Sequence, residues 1–413
     1  MPDAPAPQRS RGMSDLLPDE MDRLRGVEDA FASVCRAWGY REIRTPVIEP
    51  LHLFTAAGTL SPQTLDRVYS FLDWDGWSGE RVVLRPDSTI PAARLYAEHL
   101  DGGRVAKLFY NQNIFRFTDD GSSREEWQCG VELMGDTGTA GDIELVMLAL
   151  EALKPLSLPP VRVCLSHAGI VRGVLSAAGM TPEEQSAAYD RLLDGDLGVV
   201  DEVEARVPQL NAPLRLLFEV EGEGSGYVEN LRGPLTTTIP ALGPALDELA
   251  AVVAALETAG VAPVIQTVLA RNFEYYSGLI VRIEAAGKRL VAGGRYDDLI
   301  GLVGTRHVPA SGFALYLTPL LDLMAPPARP SGERRIIVQA EGAGPALTSV
   351  LYEAAARLRA AGMRTESIEG MHSAPTHRLI CREGSPAFTL VWPDGTQQFE
   401  RLDDVVRVLE PER

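Results

Sequence analysis

The sequence predicts an α+β protein in which an antiparallel sheet is flanked by helices, with a helical insertion and a small C-terminal α/β unit. Three observations predict this class. Strand-like and helix-like apolar patterns alternate along the first part of the chain. An Ala- and Leu-rich stretch with helical patterns follows at residues 160–262, and a Pro-rich linker at residues 325–332 precedes a last alternating segment. We expect a flexible leader at residues 1–10 and a core at residues 11–324.

The core is predicted to begin with an amphipathic helix over residues 21–38 that ends before Gly39, a residue at which helices commonly stop. A strand predicted at residues 42–48 contains Pro46, which gives a ladder no donor and is therefore expected at an edge or a special site. The next strands are predicted at residues 82–84, 107–112 and 132–135, and the next helices at residues 90–99 and 142–153.

The insertion at residues 160–262 is predicted to be helical, and strands return to the sheet at residues 281–283 and 289–291. Residues 312–324 are predicted to form a helix that enters the core. The predicted helices of the insertion lie at residues 170–178, 182–193 and 246–259. The C-terminal unit at residues 333–413 is predicted to have strands at residues 334–339, 377–381 and 388–392 and a helix at residues 347–358.

Composition and charge exclude several classes of function. The chain has 413 residues with 39 basic and 57 acidic side chains, a net charge of −18, so a general RNA-binding protein is not expected. The four cysteines lack the spacing of a metal site or a disulfide framework and are predicted to be buried free thiols. No signal peptide and no membrane-spanning segment is present, so a cytoplasmic protein without membrane association is predicted. We expect no metal and no cofactor.

Asp87, Ser88 and Thr89 place a carboxylate and two hydroxyl groups after a predicted strand, where a helix begins. A helix N-cap by Ser88 or Thr89 explains this pattern without a ligand. The alternative is that the polar groups bind a ligand at the mouth of a pocket. The local sequence leaves both open.

A second polar stretch begins at Arg116 and returns as a strand through Gln128, Gly130 and Glu132. Side chains alternate between the two faces of a strand, so the amide and the carboxylate are expected to share one face. They would then point into the same space. The alternative is a solvated sheet face on which Arg116 pairs with Glu132.

A third stretch contains Tyr275 and Tyr276, followed by the paired glycines Gly293 and Gly294. Adjacent residues of a strand point to opposite faces, so one tyrosine at most is expected to donate into a pocket while the other packs. The paired glycines predict a close backbone approach to a ligand or a strand, unless they form an ordinary turn.

These stretches occur in the order found in histidyl-tRNA synthetase, and the chain resembles that class II synthetase core over about residues 11–324. The resemblance implies a six-stranded antiparallel sheet, with Pro46 in a dimer-forming first motif and the hairpin from Arg116 to Glu132 as the second motif. The segments that carry the resemblance are residues 11–18, 40–46, 115–116, 128–132, 271–278 and 312–314.

The resemblance also implies a histidine pocket, whose chemistry fits the residue types present. An amino acid zwitterion needs acceptors for its ammonium group and a guanidinium for its carboxylate, while the imidazole ring needs an acceptor and a hydroxyl. Asp87 stands where the synthetase has Glu, so the ligand is expected to sit differently or bind more weakly. By position, Asp87, Thr89 and Gln128 would hold the α-amino group, Arg116 and Arg271 the carboxylate, and Glu132 and Tyr276 the imidazole, with Tyr275 beside them.

The nucleotide side departs from the synthetase. Pro319 stands where the third motif of the synthetase has a phosphate-binding arginine, and the bulky Tyr316 occupies a glycine position. Arg124 remains at the second-motif position that reaches phosphate. Loss of one preorganised charge typically costs on the order of 10²–10³ in rate, so adenylation is expected to be crippled. The chain is therefore predicted to have a degenerate ATP site and no catalytic residues.

This combination resembles the regulatory subunits of ATP phosphoribosyltransferase, which are paralogues of the synthetase. The resemblance implies a non-catalytic subunit that is needed by a short-form catalytic subunit and senses L-histidine for feedback inhibition. The implied partners are that subunit, in a hetero-octamer, and a second copy of the chain; no tRNA is expected. An active histidyl-tRNA synthetase is the main alternative, because residues 333–413 are a candidate remnant of an anticodon-binding domain. A different amino-acid-activating paralogue is the other alternative.

Overall fold

The structure is a computed structural model of the chain. The chain divides into two compact units, Met1–Pro326 and Pro327–Arg413. The predicted linker at residues 325–332 and residues 1–8 of the predicted leader lie outside the described residues. The described residues are 9–56, 68–74, 79–100, 104–117, 123–135, 137–210, 214–215, 217–218, 221–269, 275–324, 335–367 and 376–409.

The first half of the N-terminal unit alternates between helices and strands. Helix α1 begins with proline at its first position, where a missing N–H costs nothing, and ends before Gly39, whose φ is +82°. The elements are α1 Pro18–Ala37, β1 Arg41–Glu42, β2 Ile48–Pro50, α2 Leu51–Ala56, β3 Ser70–Trp74, β4 Gly79–Leu84, α3 Thr89–His99, β5 Ala106–Phe115, β6 Glu125–Met134, α4 Gly138–Leu153 and β7 Val161–His167.

The second half of this unit starts with helices and ends with the strands that complete the sheet. Its elements are α5 Ala168–Ala177, α6 Pro182–Leu193, α7 Gly198–Arg206, β8 Gly222–Glu223, α8 Gly224–Thr238, α9 Gly243–Thr258, β9 Val264–Ile265, β10 Leu279–Ala285, β11 Lys288–Arg295, α10 Leu299–Val303, β12 Ala310–Tyr316 and α11 Leu317–Leu323. None of the helices in the described part of the chain is both long and apolar enough to cross a membrane.

In the described part of the chain, the main sheet has nine strands in the order β1-β5-β6-β12-β11-β10-β7-β9-β8. The six strands from β5 to β7 in this order pair antiparallel throughout. Strand β1 adds to one side in parallel, and β9 pairs in parallel with β7. The predicted α+β class with an antiparallel sheet is therefore confirmed. The strands β2, β4 and β3 form a separate small sheet.

The continuous strand predicted at residues 42–48 is wrong. Strand β1 ends at Glu42 and β2 begins only at Ile48. Between them, the carbonyl oxygens of Thr45 and Pro46 accept hydrogen bonds from the Arg85 guanidinium at 2.9 and 3.0 Å. Since a buried side chain satisfies this backbone, the segment needs no ladder.

Two further predictions need correction. The predicted insertion at residues 160–262 includes residues 161–167, which form β7 within the main sheet, so the helical part begins at Ala168. The helix predicted at residues 312–324 is a strand up to Tyr316, followed by α11. Most side chains of β12 are buried, including consecutive ones, so the strand lacks the alternation that separates a strand from a buried helix.

The described residues of the C-terminal unit form a five-stranded sheet in the order β14-β13-β15-β16-β17. Strand β13 pairs in parallel with β14 and β15, whereas β15, β16 and β17 pair antiparallel. Its apolar core joins Leu358 and Val405 of the two helices to Val338 of the sheet. The elements are β13 Arg335–Ala340, α12 Pro345–Ala360, β14 Arg364–Glu366, β15 His377–Cys381, β16 Phe388–Trp392, β17 Gly395–Phe399 and α13 Leu402–Leu409.

Candidate functional site

The candidate site lies on one face of the main sheet, where β5, β6, β12 and β11 are neighbours. Gly130 leaves room for the ring of Tyr110, because a Cβ at this glycine would lie 2.2 Å from the tyrosine ring. The Tyr110 hydroxyl donates to Oε1 of Glu132 at 2.9 Å. Gly130 and Glu132 therefore share a face of β6, as the alternation predicts, and Gln128 follows on that face by the same period.

Glu132 is a buried carboxylate held by two phenols. Its side chain is 1% exposed, and its second oxygen, Oε2, accepts from the Tyr296 hydroxyl. Desolvation raises the pKa of Glu132 well above its usual value, although hydrogen bonds from Tyr110 and Thr89 oppose this effect. The alternative of a solvated face on which Arg116 pairs with Glu132 is therefore wrong.

Arg116 instead lies beside Asp87, with its Nη2 atom 3.6 Å from Oδ2 of the carboxylate. The other oxygen of Asp87 accepts from the backbone N–H of Ile90 at 2.9 Å. Asp87 therefore caps α3, and the expected caps by Ser88 or Thr89 are wrong because neither side chain accepts a helix N–H. The structure thus brings together a carboxylate and a guanidinium at the start of α3.

The two adjacent tyrosines lie outside any strand, so they are not on opposite faces of one. The rings of Tyr275 and Tyr276 meet edge to face at 5.5 Å, and Tyr275 lies 5.1 Å from the ring of Tyr296. Desolvation raises the pKa of both Tyr275 and Tyr276. The Tyr275 hydroxyl is buried and has no hydrogen-bond partner among the described residues. The predicted site residue Arg271 lies outside the described residues.

The paired glycines are required by close packing within β11, so the ordinary-turn alternative is wrong. A Cβ at Gly293 would lie 2.2 Å from the carbonyl oxygen of Gly312 on β12. A Cβ at Gly294 would lie 2.1 Å from the carbonyl oxygen of Leu279 and 2.9 Å from the ring of Tyr276. Gly293 therefore allows the close approach of β12, and Gly294 allows the ring of Tyr276 to pack directly on the sheet.

A buried ion pair lies next to the segment that carries Tyr275 and Tyr276. Arg295 donates to both oxygens of Asp142 at 2.7 and 3.3 Å, and its backbone carbonyl accepts from Ser277. Burial raises the pKa of Asp142 to about 6, although Arg295 lowers it. This pair joins α4 to the end of β11, next to Tyr296.

A small cavity lies beside Tyr316 and Pro319, the residues at which the sequence predicts a degenerate nucleotide site. A cavity of about 170 Å³ is bordered by Trp127, Tyr316 and Pro319, and the Arg289 guanidinium stacks 4.4 Å from the Tyr316 ring centre. Pro319 is the third residue of α11, where a missing N–H breaks no helix bond. No group of three or more potential metal ligands occurs within the described part of the chain.

Arg124 is held by local contacts. Its guanidinium lies 4.4 Å from the ring centre of Phe117, and its Nη1 atom donates to the Tyr69 hydroxyl at 3.4 Å. Gly12 packs against the aliphatic part of this side chain, because a Cβ there would lie 2.5 Å from Cγ of Arg124. The predicted phosphate-reaching residue is therefore stacked on an aromatic ring.

Two site residues that sequence reasoning missed are Tyr110 and Tyr296, the phenols that hold Glu132. A signal for Tyr110 was available in the hairpin register, which places a tyrosine opposite Gly130. Tyr296 lies two residues after the paired glycines Gly293 and Gly294, but its hydroxyl meets Glu132 across 164 residues. Such a contact depends on the sheet order.

Comparisons with known proteins agree with this architecture. The family model described as histidyl-tRNA synthetase matches residues 12–320. The chain is 41% identical to a protein of Dehalococcoides mccartyi named ATP phosphoribosyltransferase regulatory subunit, over 98% of both chains. It is 33% identical to a protein of the same name from Moorella thermoacetica, over 76% of this chain and 81% of the relative. A solved structure from Bacillus halodurans, titled as a regulatory subunit of that transferase or a histidyl-tRNA synthetase, has a TM-score of 0.77 at 24% identity, covering 92% of this chain and 99% of the other, and supports the fold.

Proposed function

This chain belongs to the family of ATP phosphoribosyltransferase regulatory subunits, which is related to histidyl-tRNA synthetase, and from this premise we propose a specific regulatory role. The chain binds a short-form catalytic subunit in the cytoplasm, is needed for its activity, and senses L-histidine. Occupancy of the pocket inhibits the first step of histidine biosynthesis. The complex is a hetero-octamer that contains a homodimer of this chain.

The observation that carries the proposal is the buried carboxylate of Glu132, which is 1% exposed and held by phenols. A ring N–H of histidine is a suitable further donor to this group, and the Tyr276 hydroxyl serves the other ring nitrogen. At the other end of the ligand, Asp87 and Gln128 accept from the ammonium group while Arg116 holds the carboxylate.

The nucleotide side supports a regulatory role over an active synthetase. Pockets for small molecules usually enclose roughly 300–1,000 Å³, and the cavity at Tyr316 and Pro319 has about 170 Å³. Proline offers no charge and no donor to a phosphate, and the stacked Arg289 covers the tyrosine ring. We therefore infer that the ATP site is degenerate and that the chain makes no histidyl adenylate.

The C-terminal unit completes the proposal. We infer that this five-stranded unit is a reduced remnant of an anticodon-binding domain. The chain carries a net charge of −18, which opposes the approach of tRNA. No role in tRNA binding is therefore proposed for it.

The test is a reconstitution with a separately purified short-form catalytic subunit. Phosphoribosyl transfer to ATP should require this chain and should fall as L-histidine is added. In a parallel assay, the chain alone should show no histidine-dependent exchange between ATP and pyrophosphate. Robust exchange would favour the active histidyl-tRNA synthetase, and transfer activity that is indifferent to the chain would contradict the regulatory role.

A further inference from the structure

A side chain outside the predicted histidine-binding residues lies on the face of the main sheet that carries Glu132. Gln112 of β5 is two residues beyond Tyr110, and it pairs across the strands with Gln128 of β6. Since side chains on a strand alternate, Gln112 follows Tyr110 on the face that carries Glu132. It therefore lies on the sheet face of the candidate site, next to Gln128, where the ammonium and carboxylate groups of the ligand are expected.

The amide of Gln112 is satisfied at only one end. Its side chain is 3% exposed, and its oxygen accepts from the Thr45 hydroxyl at 3.3 Å. Its nitrogen, Nε2, is buried and has no hydrogen-bond partner among the described residues. A buried donor without a partner is costly, and such groups are rare in folded proteins. The orphaned N–H groups therefore point to a ligand acceptor.

The chemistry of the ligand identifies that acceptor. The ammonium group of an amino acid has only donors, so it cannot accept from Gln112. The imidazole ring of the ligand is expected to bind Glu132, which lies four residues from Gln128 along β6. A carboxylate has about four acceptor positions, and one guanidinium leaves some of them free. The carboxylate of the ligand is the group that fits.

We propose that Gln112 is a further ligand-binding residue whose side-chain amide donates to the carboxylate of the bound amino acid, beside Arg116. This inference rests on the proposed function, because it takes L-histidine as the ligand. The bond from Thr45 fixes the orientation of the amide, since the hydroxyl occupies its oxygen and leaves the nitrogen for the ligand. Thr45 is itself buried, and its carbonyl is held by Arg85.

The test compares two ligands and two variants by isothermal titration calorimetry of the full chain. Gln112→Met keeps the length of the side chain but removes the donor. It should weaken L-histidine binding by roughly 10- to 150-fold, the range for a hydrogen bond to a charged group. L-Histidinol has a neutral hydroxyl in place of the carboxylate, so its affinity should fall several-fold less. The ratio of the two affinities is the readout that a merely structural role would leave unchanged.

The matched control is Thr45→Val, which removes the orienting bond while the amide donor of Gln112 remains. Its loss of L-histidine affinity should be smaller than that of Gln112→Met. Equal losses for both ligands, no loss at all, or a full loss in Thr45→Val would each overturn the assignment of Gln112. A wild-type chain that binds no L-histidine would instead contradict the proposed function, so the two failures are distinguishable.

Discussion

The buried negative charge of the candidate site would come from one residue, Glu132. Its carboxylate is removed from water, and its two oxygens accept from the phenols of Tyr110 on β5 and Tyr296, which directly follows β11. Phenols donate without neutralising the charge, so burial still raises the pKa of Glu132. A ligand that brings an additional N–H donor therefore gains more here than at a solvated carboxylate.

The first prediction at this scale is that Glu132→Gln weakens the response to histidine. The change keeps the volume but removes the charge, so a charge-assisted hydrogen bond to the imidazole is lost. The inhibitory concentration of L-histidine should rise roughly 10- to 150-fold. The measurement is a histidine inhibition curve of the reconstituted complex, and uninhibited activity should stay near its starting value because the change affects one of two coupled sites.

Superimposable inhibition curves for wild type and Glu132→Gln would remove Glu132 from histidine recognition. The same curve for Tyr276→Phe separates the remaining explanations. A shifted curve for this variant would mean that the ring is held mainly by Tyr276. An unshifted curve for both variants would place the histidine site elsewhere in the complex.

At the scale of elements, the Arg85 side chain acts as a staple: its hydrogen bonds join the segment between β1 and β2 to β5, where a strand was predicted. Its Nε and Nη2 atoms donate to the backbone and side chain of Asn113 on β5 at 2.7 and 2.9 Å, and Nη1 donates to Thr45 and Pro46. Burial lowers the pKa of Arg85 to about 10, so the guanidinium remains charged at neutral pH. The segment between β1 and β2 is thereby fixed beside the pocket.

The second prediction is that Arg85→Met destabilises the chain. The variant leaves the buried carbonyl oxygen of Thr45 and the part-buried carbonyl oxygens of Pro46 and Asn113 without this donor. An unsatisfied buried group costs about 1–3 kcal/mol, and a part-buried one costs less. We expect the free energy of unfolding to fall by about 3 kcal/mol, measured by denaturant titration. Arg81→Met is the control, because Arg81 lies on strand β4, shortly before Arg85 in the chain, but is exposed. Equal stability of both variants would contradict the staple.

At the scale of the whole molecule, the segment around Pro46, which the resemblance assigns to the first motif, carries apolar side chains on the surface of the chain. We call it the first-motif segment. Val47 and Ile48 are 41% and 47% exposed, whereas Ile43 packs partly against the chain's own core. The resemblance implies that this region forms the homodimer. A two-fold contact repeats the same patch on both subunits, so each added charge would face its own copy.

The third prediction follows from that symmetry. Val47→Asp should shift the assembly toward smaller species in light scattering, because two like charges would oppose each other in an apolar contact. Thermal unfolding of the variant at low concentration checks that the subunit itself is folded. An unchanged assembly would remove the first-motif segment from the interface.

The sequence identified many candidate site residues because their types and order follow local chemistry. Gln128 and Glu132 were placed on one face by strand alternation alone, and Gly130 between them is required by Tyr110. The four cysteines predicted as buried free thiols are confirmed. Two interpretations of local patterns were wrong. The carboxylate of Asp87 caps α3 in place of its neighbours Ser88 and Thr89, and Arg116 lies beside Asp87 instead of Glu132.

The sequence by itself determined the α+β class and the departure at Pro319, because propensity, periodicity and residue chemistry are properties of neighbours along the chain. In the C-terminal unit it located strands β13, β15 and β16 and helix α12, but missed the strands β14 and β17 and helix α13. Only the tertiary structure decided that Tyr110 and Tyr296 hold Glu132, and that Arg85 replaces a ladder between β1 and β2. It also decided that the side-chain nitrogen of Gln112 is buried without a hydrogen-bond partner among the described residues. These contacts join residues far apart in sequence, and the order of strands in the sheet brings them together.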